Sequence, residues 1–156
     1  MNTSPRTNEW LTERLYSIWE DYFADIPRKN YVIITFGRAS SRQLGSIKWA
    51  TKKTRIKSII RDKDVQEEIK SQDDKRITVI TITRKFQNQN IPEYVVDATI
   101  AHELVHYTHG FSSPLKQAYK HPHQGGLIRK ELQARGLGST HKRAKRWIRE
   151  HWPQYA

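Results

Sequence analysis

The chain contains no cysteine. That excludes disulfide staples and any zinc ribbon built on thiolates, and it is compatible with a reducing compartment. Nowhere do 18 consecutive apolar residues occur, and no N-terminal apolar run follows a basic cluster. Neither a membrane span nor a secretory signal is therefore expected, and the expected location is the cytoplasm, with nucleoid or nuclear association open. Internal repeats and low-complexity tracts are also missing, so residues 1–156 are expected to form one domain. The last absence is local: residues 27–61 contain no acidic residue at all.

That stretch carries ten basic residues, among them Lys52 and Lys53. The formal net charge of +12 is spread unevenly around it. Residues 1–26 and 62–110 each sum to −3, whereas residues 111–156 hold ten basic side chains against two acidic ones. Two basic blocks separated by mildly acidic ones favour a polyanionic partner, DNA or RNA. Arg143 and Arg146 in the second block, with Lys52 and Lys53 in the first, are the candidate contacts. Trp49, amid Lys48, Lys52 and Lys53, is either a stacking platform for bases or a core residue. A hydrophobic content of 36% with five Trp is that of a globular chain with a real core.

Apolar spacing predicts the elements. Leu11, Leu15, Ile18, Trp19 and Tyr22 recur at helical intervals within residues 8–25, with Pro27 closing the segment. Residues 31–36 and 77–83 are β-branched, apolar runs and read as strands. Residues 46–51 alternate apolar and basic positions, as does the stretch through Ile56, which predicts a strand pair with a basic outer face. Residues 61–75 are almost wholly charged or polar and read as an exposed excursion with room for a short helix. Towards the end, Leu127, Ile128 and Leu132 mark one helix. A basic last helix at about 139–152 turns Ala144, Trp147, Ile148 and His151 or Trp152 inward and Lys142, Arg143, Lys145, Arg146 and Arg149 outward.

The chemistry concentrates in residues 101–106, Ala-His-Glu-Leu-Val-His. Residues four apart on a helix lie one above the other, so His102 and His106 present two imidazoles to one point. Such a pair supplies two nitrogens to a zinc ion, and Glu103, rotated by about 100°, flanks the metal as general base. Val96, Ile100, Leu104 and Tyr107 form a separate apolar stripe on the same segment, bounded by Pro92 and Gly110. One side is thus for packing and another for histidines, which tells against a pair of ordinary core histidines.

A catalytic zinc needs a third protein ligand and an open position. His109 lies seven residues from His102, about 10.5 Å along the helix axis, too far to share an ion easily. Glu131, His121 and His123 are the other candidates, and the residues alone do not separate His121 from His123. Gly125 and Gly126 would let the backbone approach a metal or a bound peptide. Tyr119 and His121 are positional candidates for stabilising an oxyanion.

The order of a strand pair with Trp49, a strand before the motif, Ala101-His-Glu-Leu-Val-His106, and a later histidine opening a helix resembles the SprT-like metallopeptidase domain and the related minigluzincin peptidases. The likeness covers roughly residues 8–138. It implies that His123, in Pro122-His-Gln-Gly-Gly-Leu127, is the third ligand (possible alternative metal or neighbouring residue: His121), with Leu127 packing beneath it. Gln124 stands where that family usually has Gly. The resemblance further implies an α+β domain and zinc peptidase activity, in some members on proteins bound to DNA. The expected fold is a small antiparallel sheet packed against helices, with the H-E-x-x-H helix central. Two other readings fit the motif: a non-enzymatic nucleic-acid-binding protein with a structural zinc, and a zinc hydrolase acting on something other than peptides.

Overall fold

A computed structural model describes residues 4–54 and 61–155. The first helix, α1 (Asn8–Tyr22), starts where the Thr7 hydroxyl accepts the Trp10 amide at 3.1 Å, an N-cap that satisfies one of the orphan donors of the first turn. Its predicted stripe of Leu11, Leu15, Ile18 and Trp19 is buried. Tyr22 is not: it is 39% exposed, and Phe23, at the C-cap, takes the buried place instead. The helix stops at that cap, ahead of Pro27, so the chain rotates off the helical register before the proline acts.

Three strands follow, β1 (Val32–Phe36), β2 (Gly45–Trp49) and β3 (Thr78–Ile82). Between β2 and β3 lies α2 (Lys63–Ser71), none of whose residues is buried, as its polar composition predicts. The sheet order is β1-β3-β2, with β1 parallel and β2 antiparallel to β3. The sheet is therefore mixed, not antiparallel as expected. Residues 37–77 are long enough for the crossover that a parallel pair requires. A turn at Thr51–Thr54 ends β2, and the expected second strand through Ile56 lies outside the described residues.

The H-E-x-x-H helix, α3 (Glu93–Thr108), begins after Pro92. Val96, Ile100, Leu104 and Tyr107 are at most 1% exposed, and Val95, Ala98, Ala101 and Val105 are buried too. A helix apolar on nearly every side belongs in the middle of a fold, and α3 packs against α1, the sheet and the last two helices. It leaves through Gly110, at φ +82°, whose N–H bonds Tyr107 O while Phe111 N–H bonds His106 O. That pattern is a Schellman cap. A Cβ on Gly110 would sit 2.6 Å from the Gln117 backbone, so the exit also needs glycine sterically.

Two helices complete the chain, α4 (Leu127–Ala134) and α5 (Gly138–His151). On α5, Ala144 and the following Trp152 are buried, while Trp147 and Ile148 pack against the core. Side chains from α1, β1, β3, α3, α4 and α5 share one apolar cluster. No helix among the described residues is long and apolar enough to cross a membrane.

A buried polar chain fixes the end of α3 to the sheet. The Tyr107 hydroxyl donates to Asn30 Oδ1 at 2.6 Å, and Asn30 Nδ2 donates to Thr78 Oγ1 at 2.8 Å. Thr78 in turn donates to Ser112 O at 2.8 Å, in the turn after the helix. Asn30 and Thr78 are 0% exposed, so water cannot substitute for a missing partner. Tyr107→Phe is expected to cost about 1–3 kcal/mol, because it leaves the Asn30 carbonyl buried and unpaired. The check is the urea midpoint, which should fall with an unchanged slope.

Candidate metal centre and cleft

Helix α3 carries His102 and His106 on adjacent turns, their ring centroids 4.8 Å apart. The connector after the Schellman cap returns over them and brings His123 to 5.5 Å from His102 and 4.7 Å from His106, again between ring centroids. One ring nitrogen from each of the three lies within 4.8 Å of the others. The Nε2 atoms of His102 and His123 are 3.4 Å apart. Three imidazoles this close can bind a metal ion, and no fourth metal-ligating side chain joins the group among the described residues.

Burial pushes the His102 imidazole down to about 4, with His123, His141 and Lys145 acting in the same direction. Burial and the neighbouring imidazoles hold His106 at about 3. Both rings are thus neutral at pH 7, the form whose lone pair a metal takes. His106 Nδ1 is buried and has no hydrogen-bond partner among the described residues, so none of them competes for that nitrogen. Glu103 is 4% exposed, and burial lifts its carboxyl to about 8.

These side chains open onto a cleft of about 610 Å³. One wall is the start of β2. A Cβ on Gly45 would lie 2.9 Å from Thr99 Cγ2 and 3.1 Å from Glu103 Oε1, so glycine lets the strand close over the carboxylate. The opposite wall is α5, which contributes His141, Ala144, Lys145 and Ile148. They recur at i, i+3, i+4 and i+7, one helical face. Lys145, expected to point outward with the other basic residues of this helix, lines the cleft together with His141. Lys145 is exposed, yet it is exposed into the cleft.

The other expected residues fall elsewhere. His121 is exposed, its backbone N–H bonded to Gln124 Oε1 at 2.9 Å, and it does not join the cluster. His109 is buried and bonds Glu131 at 2.9 Å, and Glu131 also meets Arg135 at 3.3 Å. These two ligand candidates thus satisfy each other. Arg135 continues to Asp25 at 2.6 Å, so the set ties α3 and α4 to the end of α1. Tyr119 packs edge-on against His109 and does not line the cleft, and neither does His121. Gly125 and Gly126 adopt φ of +61° and +68°, but a Cβ on Gly125 would meet nothing within 4 Å. They serve the turn into α4. Lys52, Lys53, Arg143 and Arg146 are exposed and lie outside the cleft, with Arg143 over the Tyr94 ring at 4.3 Å. Trp49 is half-buried under Arg76, 4.1 Å from the ring centroid.

No known protein family, curated protein or solved structure matches the chain.

Proposed function

We propose that the chain is a zinc-dependent peptidase of the SprT-like kind. The observation that carries this reading is the convergence of His102, His106 and His123 beside a buried Glu103, all opening on one cleft. The donor set suits zinc. Two nitrogens bound tetrahedrally at about 2.0–2.1 Å stand about 3.3 Å apart, close to the 3.4 Å between His102 and His123. Three ligands facing open space favour a catalytic site over a closed structural one.

When bound, zinc supplies Lewis acidity that activates water and polarises a carbonyl. Glu103 receives the proton of the attacking water and delivers it to the departing amine. Burial alone lifts this carboxyl to about 8, and a cation held by the three histidines beside it would favour the ionised form that accepts the proton. Substrate orientation falls to β2. Ala50 N–H bonds Ile77 O and Thr83 N–H bonds Leu44 O, so by antiparallel alternation Gly45, Ile47 and Trp49 turn their backbone groups away from β3. That free edge can pair with an extended peptide, which favours peptides over other hydrolysable substrates. The test is zinc content together with cleavage of an unfolded protein, before and after chelation. Hydrolysis lost with the metal and restored by zinc supports the reading. A zinc-loaded chain that cleaves no peptide bond ends it.

Nucleic-acid contact is a second part of the proposal, resting on the outer face of α5. Lys142, Arg146 and Arg149 are exposed, with no ion-pair partner among the described residues. Affinity for single- or double-stranded DNA or RNA should fall log-linearly with salt, and Arg143→Gln with Arg146→Gln should flatten the slope by about 1–2. Binding that ignores salt would remove nucleic acid from the account.

A further inference from the structure

The cleft has a one-sided charge. Arg42 and Lys48 flank its β2 wall and Lys145 stands on its α5 wall, with His141 beside it. Among the described residues the single acidic side chain lining it is Glu103, at the floor. None of the three cations has an ion-pair partner among the described residues. Residues 27–61 offer no acid that could supply one. The lining also includes apolar side chains, among them Ile47, Phe111 and Ile148. A concave, partly apolar space edged by charge of one sign concentrates its field on whatever enters.

We infer that this cleft selects acidic peptide segments, with Arg42, Lys48 and Lys145 reading Asp or Glu on either side of the bond at the histidine cluster. Turnover of such a segment rests on the peptidase reading; its binding does not. The backbone edge of Gly45, Ile47 and Trp49 holds the peptide extended, and successive side chains then point alternately to opposite sides. Arg42 lies before β2 and Lys48 near its far end, so the edge carries a cation at each end. Lys145 lines the same cleft from α5. A peptide fits this arrangement better than a nucleic-acid strand. A phosphate can accept from the edge N–H groups but offers no donor to the edge carbonyls, whereas a peptide pairs with both, and single strands rely on open aromatic platforms. Trp49 is covered by Arg76, and Phe111 packs edge-on against His106.

The test measures binding of labelled decapeptides to the zinc-loaded Glu103→Gln protein by fluorescence anisotropy. The peptides share one core and carry flanking Glu, Gln or Lys. The Glu peptide should bind about tenfold tighter than its Gln counterpart, the Lys peptide weakest, with the gap narrowing as salt rises. Arg42→Gln with Lys145→Gln should erase the Glu–Gln difference while leaving Gln-peptide affinity within about twofold, since rim charges act mainly on charged partners. Equal affinity for all three peptides overturns the inference. So does a single-stranded oligonucleotide whose affinity drops as far as that of the Glu peptide in the same double variant, because the cations would then belong to a nucleic-acid footprint. Acid-selective binding with no cleavage by the wild-type zinc protein supports the inference and sinks the peptidase reading. Cleavage without acid preference does the reverse.

Discussion

Glu103→Gln is expected to keep its zinc and to lose hydrolysis by roughly 10²–10⁴-fold, the range associated with removal of a positioned general base. Glu103 is not among the three side chains whose ring nitrogens cluster, so the amide removes no ligand. The substitution is close to isosteric where space is short: a Cβ at Gly45 would already come within 3.1 Å of the carboxylate. It also replaces a buried acid by a neutral group, so the fold is not placed at risk. Metal content and hydrolysis rate must be measured on the same preparation. A variant that cleaves at the wild-type rate means that the proton is handled elsewhere, and one that loses zinc means that Glu103 belongs to the coordination sphere.

His123→Ala is expected to lower zinc occupancy as far as His102→Ala does, whereas His121→Ala and His109→Ala keep most of it. Loss of one of three ligands removes a strong metal–nitrogen bond and leaves two rings that no longer define a site. His109 makes the most informative control. It is as buried as His106, at 5% exposure each, and its removal strands Glu131 beside Arg135, so a fall in thermal stability without loss of metal is the expected pattern. Zinc that survives in His123→Ala and vanishes in His121→Ala would move the third ligand two residues back.

Local pattern made much of this legible. The α3 helix was delimited by Pro92 and Gly110, and its apolar stripe and histidine face were separable by eye because a helix repeats its neighbours within four residues. Strands β1 and β3 were legible as β-branched runs. Their parallel pairing was not, since nothing in either run encodes which way its partner travels. The choice between His121 and His123 depended on how a connector without regular structure folds back, and only the resemblance to SprT-like domains favoured His123. Tyr22 failed because the spacing continued past the point where the helix ended. His141 and Lys145 escaped notice because a charged side chain at the rim of a cleft and one on an open surface look alike in sequence.

No two neighbouring strands of the sheet are joined by a tight turn. Strand β1 finds β3 across residues 37–77, and β2 finds it across residues 50–77. Each pairing must close a long stretch of chain before any ladder bond rewards it, whereas α1, α3, α4 and α5 draw their backbone bonds from residues four apart. Folding speed is accordingly expected to be limited by topology at the sheet and not by helix formation. The histidine pair of α3 is a local product of early helix formation, but the strand edge facing it is a non-local and late one. A chain caught midway would carry metal-binding side chains with no wall against which to hold a substrate.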